Sequence, residues 1–173
     1  AQWVACSPDT VWNFSAVGYI FGRKLHDELD VPIGLISSNW GGTRVGPCTP
    51  REAYTEDSDA PAVIKAYGKW LERSQRQYEQ ARRGMIPKVE QWLARAKHAA
   101  AADKPIPELP TMPPHYLSSH QHPTMLYNGM IEPLVPYAIR GAIWYQGESN
   151  RGEAYDYRYT FPAMIKGWRD QWG

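Results

Sequence analysis

Residues 139–150, IRGAIWYQGESN, constrain this chain more than any other stretch. An apolar run with Ile139, Ala142, Ile143, Trp144 and Tyr145 stops abruptly at Gln146, Gly147, Glu148, Ser149 and Asn150. The run has the length of a buried strand. In an open α/β sheet the polar cluster would lie just past the carboxyl end of that strand, where such sheets bind ligands. A turn alone does not require two amides, a carboxylate and a hydroxyl in five residues. Such a set can orient a small polar molecule and stabilise charge developing on it.

Upstream, the pattern alternates. Trp3 to Cys6 reads as a short strand. A helix follows with Phe14, Val17, Gly18, Phe21, Leu25 and Leu29 on one face, Asn13 or Ser15 as cap, and Asp30 with Pro32 as stop. Val31 to Ser38, VPIGLISS, reads as a second buried strand, and Asn39, Trp40, Gly41, Gly42 and Thr43 follow it. Strand, helix and strand in this order predict a parallel sheet with right-handed crossovers. The 139–146 run is its third strand. A last helix is expected from Ala154 to Trp172, with Tyr157, Phe161, Met164, Ile165 and Trp168 inward and Pro162 near a start or a kink.

Residues 59–114 differ in kind and read as an insertion. Two helices are expected between Ala62 and Ala102, broken at Arg83-Gly84-Met85-Ile86-Pro87, where glycine closes one and proline opens the next. Residues 61–102 carry nine lysines or arginines against three glutamates. The excess reads better as a solvated face than as a nucleic-acid surface, because the aromatics fall on the helix seams rather than among the charges. Pro105 to Pro114 forms an extended connector back to the main domain.

Composition narrows the field further. With 173 residues, eight Trp and eleven Tyr, the chain can bury one substantial core. A formal net charge of +1 gives no general case for nucleic acid or a membrane surface as partner. No apolar run approaches a membrane span. Cys6 and Cys48 read as two buried thiols rather than a disulfide, since a chain of this size needs no staple.

Each motif has a plain reading beside a chemical one. Gly41 and Gly42 permit a positive-φ turn, or let a backbone N–H approach an anionic oxygen. They form neither a dinucleotide fingerprint nor a phosphate loop, because the third glycine and the Gly-Lys-Ser/Thr are absent. Ser149 lacks the second glycine of a nucleophile elbow. Glu148 suits an acid that orients a histidine or accepts from a sugar hydroxyl; its plain alternative is a carboxylate favoured by a helix N-terminus. His120 and His122 are loop residues, lining a polar pocket or simply exposed. Without partnering cysteines or a second histidine pair at ligand spacing, no metal is expected. Asn128-Gly129 reads first as a turn, with Asn128 also able to face the pocket.

The segments FSAVGYIFGRKL, VPIGLISSNWGGT, LYNGMIEPLVPYAIRGAIWYQGESN and FPAMIKGWRDQW resemble the sialate O-acetylesterases, carbohydrate acetyl esterases of the SGNH/GDSL type. The resemblance covers nearly the whole chain outside the insertion. It implies a flavodoxin-like, three-layer α/β fold with a parallel sheet, and removal of acetyl groups from O-acetylated sugars without a cofactor. A serine would attack the acetyl carbonyl, a histidine would take its proton, and backbone N–H groups with a side-chain amide would hold the oxyanion. Carried over to this chain, Gly41 or Gly42 becomes an oxyanion donor, and Gln146, Glu148 and Asn150 complete the catalytic loops. Asn39, Trp40, Thr43, His122, Asn128 and Ser149 become substrate contacts. The expected setting is secreted or periplasmic.

The chain departs from that pattern in specific places. The family's nucleophile sits in a Gly-Gln-Ser-Asn-type motif and its histidine in an Asp-x-x-His motif, and neither occurs here. After the diglycine and threonine the family continues with an acidic residue and Trp; here Val45-Gly46-Pro47-Cys48 stands instead. The expectation is therefore residues 1–173 as part of an esterase domain, carrying the oxyanion wall without nucleophile or base. An incomplete sheet would leave an apolar edge for the missing parts of the domain or for a second copy.

Overall fold

Ser15 starts the first helix. In the computed structural model, which describes residues 2–55 and 61–173, its hydroxyl accepts from Gly18 N at 3.2 Å, the geometry of an N-cap. Helix α1 runs Ala16–Leu29 and ends where Asp30 turns left-handed with φ 50°. Start and stop fall where the caps place them. The buried face does not: Gly18 and Gly22 are its buried residues, while Val17, Phe21 and Leu29 are exposed. Leu35 explains Gly22, because a Cβ there would stand 2.6 Å from a Leu35 methyl.

Helix α2, Pro61–Ala101, is a single helix of 41 residues with Pro87 inside it. The helical hairpin expected in this insertion is therefore replaced by one rod; residues 59 and 60 of the insertion lie outside the described residues. Proline removes one backbone donor and crowds the carbonyl four residues earlier. That carbonyl belongs to Arg83, on an exposed stretch where water can satisfy it. Meanwhile the buried stripe passes straight through the proline: Val63, Trp70, Met85 and Ala96 are buried, and Tyr78 and Trp92 half-buried. The turn that would close a hairpin is made after the helix instead. The proline-rich connector returns along α2, with Trp92 Nε1 donating to Pro107 O at 2.8 Å and His115 packed edge-on against Tyr78 at 5.0 Å. Fourteen helical residues span about 21 Å, and eight extended ones about 25 Å, so the two segments match in length.

Helix α3 spans Ala154–Trp172 and packs along the first half of α2. Pro162 sits inside it on the exposed side, and Thr160 and Met164 are buried. Between the two helices lie short turns at Gly46–Cys48 and Arg51–Tyr54. Val45, Pro47, Thr49, Pro50, Val63 and Met164 are fully buried there and form the centre of the core. The contact is close. A Cβ on Gly167 would stand 2.3 Å from Pro50 Cγ, and Trp168 Nε1 donates to Cys48 O at 2.9 Å.

Among the described residues there is no β-strand. The three-layer, flavodoxin-like parallel sheet of the SGNH type, with its crossovers, is thus not the architecture found. Residues 3–6, 31–38 and 139–146 adopt no regular secondary structure and form no ladder. Their apolar side chains are spent differently. Leu35 covers Gly22 of α1, and Trp144 packs against Phe161 and Trp168 of α3, at 5.8 and 5.9 Å between ring centres. Val4, Ile36, Ile143 and Tyr145 are exposed. A short apolar run shows that a segment is buried or extended; it does not supply the backbone partner that makes a strand. The cysteines need the same correction. Both are free, with Cys6 exposed and Cys48 mostly covered. Burial pushes the Cys48 thiol up from 9.0 to about 11.

Candidate functional site

The diglycine bend and the amide-rich bend meet. Gln146 Nε2 donates to Thr43 O at 2.9 Å and to Asn150 Oδ1 at 2.8 Å. Asn150 Oδ1 also accepts from Val45 N at 3.0 Å. Tyr157, at the start of α3, donates its hydroxyl to Gln146 Oε1 at 3.2 Å and in turn accepts from Trp144 Nε1 at 3.3 Å. Buried Asn150 and half-buried Gln146 thereby lock residues 43–45 onto residues 146–150. Gly147 permits the turn between them, with φ 155°, a backbone that side chains disfavour.

Gln121 grips the same bend from the other side. Its Nε2 donates to Gly42 O at 2.8 Å, and its Oε1 accepts from Arg44 N at 3.2 Å. Sequence reasoning singled out the histidines on either side and passed over this residue. From the sequence Tyr157 reads only as a core residue of the last helix. In each case the spacing of apolar residues carries no sign of a polar contact made across the fold.

The bracing decides which donors stay available. Both hydrogens of the Gln146 amide are committed to protein oxygens, so Gln146 acts as a strut rather than as an oxyanion donor. The Gly41 and Gly42 N–H groups bond no protein acceptor among the described residues, and both glycines are exposed. Asn150 Nδ2 likewise makes no protein hydrogen bond, and Asn150 lines a cavity of 260 Å³ between α2 and α3. Gly42 has φ 73°. Thr43 is buried, its hydroxyl turned back to Trp40 O at 2.9 Å.

The remaining candidates scatter around this centre. Trp40 is 54% exposed and stacks on His120 at 5.3 Å. Asn39 is exposed and bonds Ser37 Oγ. His122 leaves the bends and packs edge-on against Trp70 and Tyr67 of α2, with Nδ1 at 2.7 Å from Pro123 O. Asn128 is exposed on a wide helical turn, Tyr127–Ile131, and bonds Thr124 through its backbone. Glu148 is exposed and Ser149 half-buried; both line an open cleft with Arg44, Arg73, Arg151 and Glu153. Among the described residues no histidine bonds Glu148 and no serine hydroxyl bonds a histidine ring. No group of three or more metal-binding side chains occurs among them either. No helix among the described residues is long and apolar enough to cross a membrane.

Over 156 residues the chain is 35% identical to a sialate O-acetylesterase of Rattus norvegicus, an alignment covering 90% of this chain and 25% of that protein. Against the sialate O-acetylesterase of Homo sapiens the identity is 32% over 157 residues, covering 90% of this chain and 21% of the other. By sequence the chain is a relative of the sialate O-acetylesterases. It spans about a quarter of the length of the relatives it matches. The resemblance read from the motifs thus stands, even though the sheet attached to it does not. No family model matches the chain, and no solved structure does.

Relative to these sialate O-acetylesterases, the braced bends lie within the matched length. Behind them the cavity is lined by Tyr54, Tyr67 and Trp70 together with charged pairs: Arg73 and Arg44 with Glu153, and Lys69 with Asp156 at 3.2 Å. Burial pushes the Tyr54 phenol well up, keeping it a neutral donor to Gly46 O at 3.1 Å. What the arrangement offers chemically is a braced loop pair with uncommitted N–H donors at Gly41, Gly42 and Asn150; Asn150 lines the cavity, and neither glycine is among its lining residues. Donors of this kind can hold a developing oxyanion where they converge on one point.

Proposed function

We propose that this chain forms the ester-cradling loops of a carbohydrate O-acetylesterase acting on O-acetylated sugars. The observation that carries the reading is the convergence of the two bends through Gln146 and Asn150, across more than a hundred residues of chain. The names of the relatives support it. In this reading Gly41, Gly42 and Asn150 donate to the oxyanion formed when a serine attacks the acetyl carbonyl. One such donor is typically worth about 10²–10³ in rate. The serine and the histidine that deprotonates it come from polypeptide beyond these residues, which the greater length of the relatives allows. Trp40, stacked on His120 and half-open, offers a flat face to the sugar ring. A secreted or periplasmic setting belongs to the same proposal.

The test is acetate release from an O-acetylated sialic acid. This chain alone is expected to stay near background. Set within the flanking sequence of a relative, in place of the matched segment, it is expected to support turnover. If that hybrid folds by circular dichroism yet releases no acetate, while the relative itself does, the reading fails.

A further inference from the structure

Helix α1 presents an apolar ridge that no described element covers. Val17, Phe21, Leu25 and Leu29 follow one another at intervals of four. Rows so spaced are what the commonest class of helix packing interlocks. Here the row stands open: Val17 is 45%, Phe21 43% and Leu29 59% exposed, with Leu25 half-buried. The helix turns its glycines inward instead, Gly22 onto Leu35 and Gly18 onto Phe14. Among the described elements none packs closely on α1. The charges nearest the ridge pair within the helix, Arg23 with Asp27 and Lys24 with Glu28, so covering the ridge strands no charge.

The opening is large. A compact monomer of 19.7 kDa exposes about 8,600 Å², whereas this chain exposes 12946 Å². The difference is several times the roughly 800 Å² that one partner loses in a standard interface. Exposed apolar side chains concentrate in residues 3–40, where Trp12, Val31 and Ile36 are open as well.

We propose that the α1 ridge is a docking surface for an apolar face of the longer esterase polypeptide, the part that brings the serine and the histidine. This docking rests on the esterase reading and adds to it the surface through which the remainder attaches. Length decides for this occupant over a second copy. The relatives are about four times as long as the span they share with this chain. A match over 156 of 173 residues takes in most of α1 wherever it begins. The counterpart of α1 in them is thus accompanied by much further chain at high effective concentration, which a second copy must match from dilute solution.

The experiment places Phe21→Lys in two settings: the 173-residue chain alone, and the hybrid in which this chain replaces the matched segment of a relative. Alone, the ridge faces water. Light scattering is expected to give a monomer, and the urea midpoint of the variant to equal the parent's. In the hybrid the lysine meets an apolar partner, and the midpoint is expected to fall. Leu29→Cys supplies a second reading that does not depend on a destabilised variant folding. Iodoacetamide with peptide mapping should label the introduced thiol at least about tenfold more slowly in the hybrid than in the chain alone.

Equal midpoints for parent and Phe21→Lys in the hybrid overturn the proposal, as do equal labelling rates in the two settings. A hybrid that fails to fold where the relative folds counts against it too, because ridge and polypeptide then do not fit. A chain that dimerises alone, and loses its dimer on Phe21→Lys, assigns the ridge to a second copy instead. None of these readouts involves acetate release. A hybrid that buries the ridge yet releases no acetate therefore removes the esterase reading without touching the docking surface.

Discussion

Gln146 Nε2 lies 2.9 Å from the carbonyl oxygen of Thr43, joining residues 103 positions apart in the chain. With Asn150, whose Oδ1 accepts from both Gln146 Nε2 and Val45 N, it forms a small network across the two bends. Networks of this kind rigidify a site, and lose more than one bond when a member is removed.

Asn150→Ala therefore strands two donors, Val45 N and one Gln146 hydrogen, in a buried place. The expected loss is about 2 kcal/mol, or a melting temperature lower by about 4–8 °C for a chain of this size. Tyr157→Phe removes a hydroxyl shared by Gln146 and Trp144 and should cost about 1 kcal/mol. Urea titrations of both variants check this. An Asn150→Ala midpoint equal to the parent's would mean the brace is not formed.

The two glycines of the bend should separate on substitution. A Cβ at Gly41 or at Gly42 meets nothing within 4 Å, so neither change clashes. Gly42, however, sits at φ 73°, where a side chain strains the backbone. Gly42→Ala is expected to cost about 1 kcal/mol and Gly41→Ala close to nothing. Thermal melts that rank them in the opposite order would contradict the bend described.

Gly167→Ala tests the seat of α3. The new methyl would fall 2.3 Å from Pro50 Cγ, a rigid ring in a buried turn. Overpacking of this kind costs about 1–3 kcal/mol. If denaturant midpoints show no loss, α3 does not lie on the Pro50 turn as described.

The cysteines supply a pH prediction. Cys48 stays protonated in the folded chain up to about pH 11, while the unfolded thiol ionises near 9.0. Between those values the unfolded state holds fewer protons, so stability falls as pH rises. The contribution is full below pH 9 and gone above about 11, and it amounts to roughly 2–3 kcal/mol at most. Replacing Cys48 by Ala should flatten that decline. At pH 8, iodoacetamide followed by peptide mapping should label exposed Cys6 well before Cys48; equal rates would contradict the burial.

What the sequence reveals here divides along physical lines. The ends of α1 and α3 are legible because Ser15, Asp30 and the apolar spacing of 154–172 act locally. The meeting of the two bends is legible because polar residues closing two apolar runs have few other uses. The sheet is misread because the apolar runs at 31–38 and 139–146 record a partly covered chain without saying what, if anything, pairs with its backbone. Helix α2 is misread because Gly84 and Pro87 suggest a break, while the stripe from Val63 through Met85 to Ala96 argues for continuity and prevails. The polar contacts of Gln121, Tyr157 and Glu153 are invisible beforehand, since apolar spacing carries no sign of a bond made to another element.

The central claim is that the diglycine bend and the amide bend act as one ligand site. The direct measurement is an amide NMR titration of this chain with an O-acetylated sialic acid, following the backbone N–H of Gly41 and Gly42 and the side-chain amide of Asn150. The account predicts that all three move together with one dissociation constant. Shifts confined to one bend, or shifts of the two bends with different constants, would contradict it.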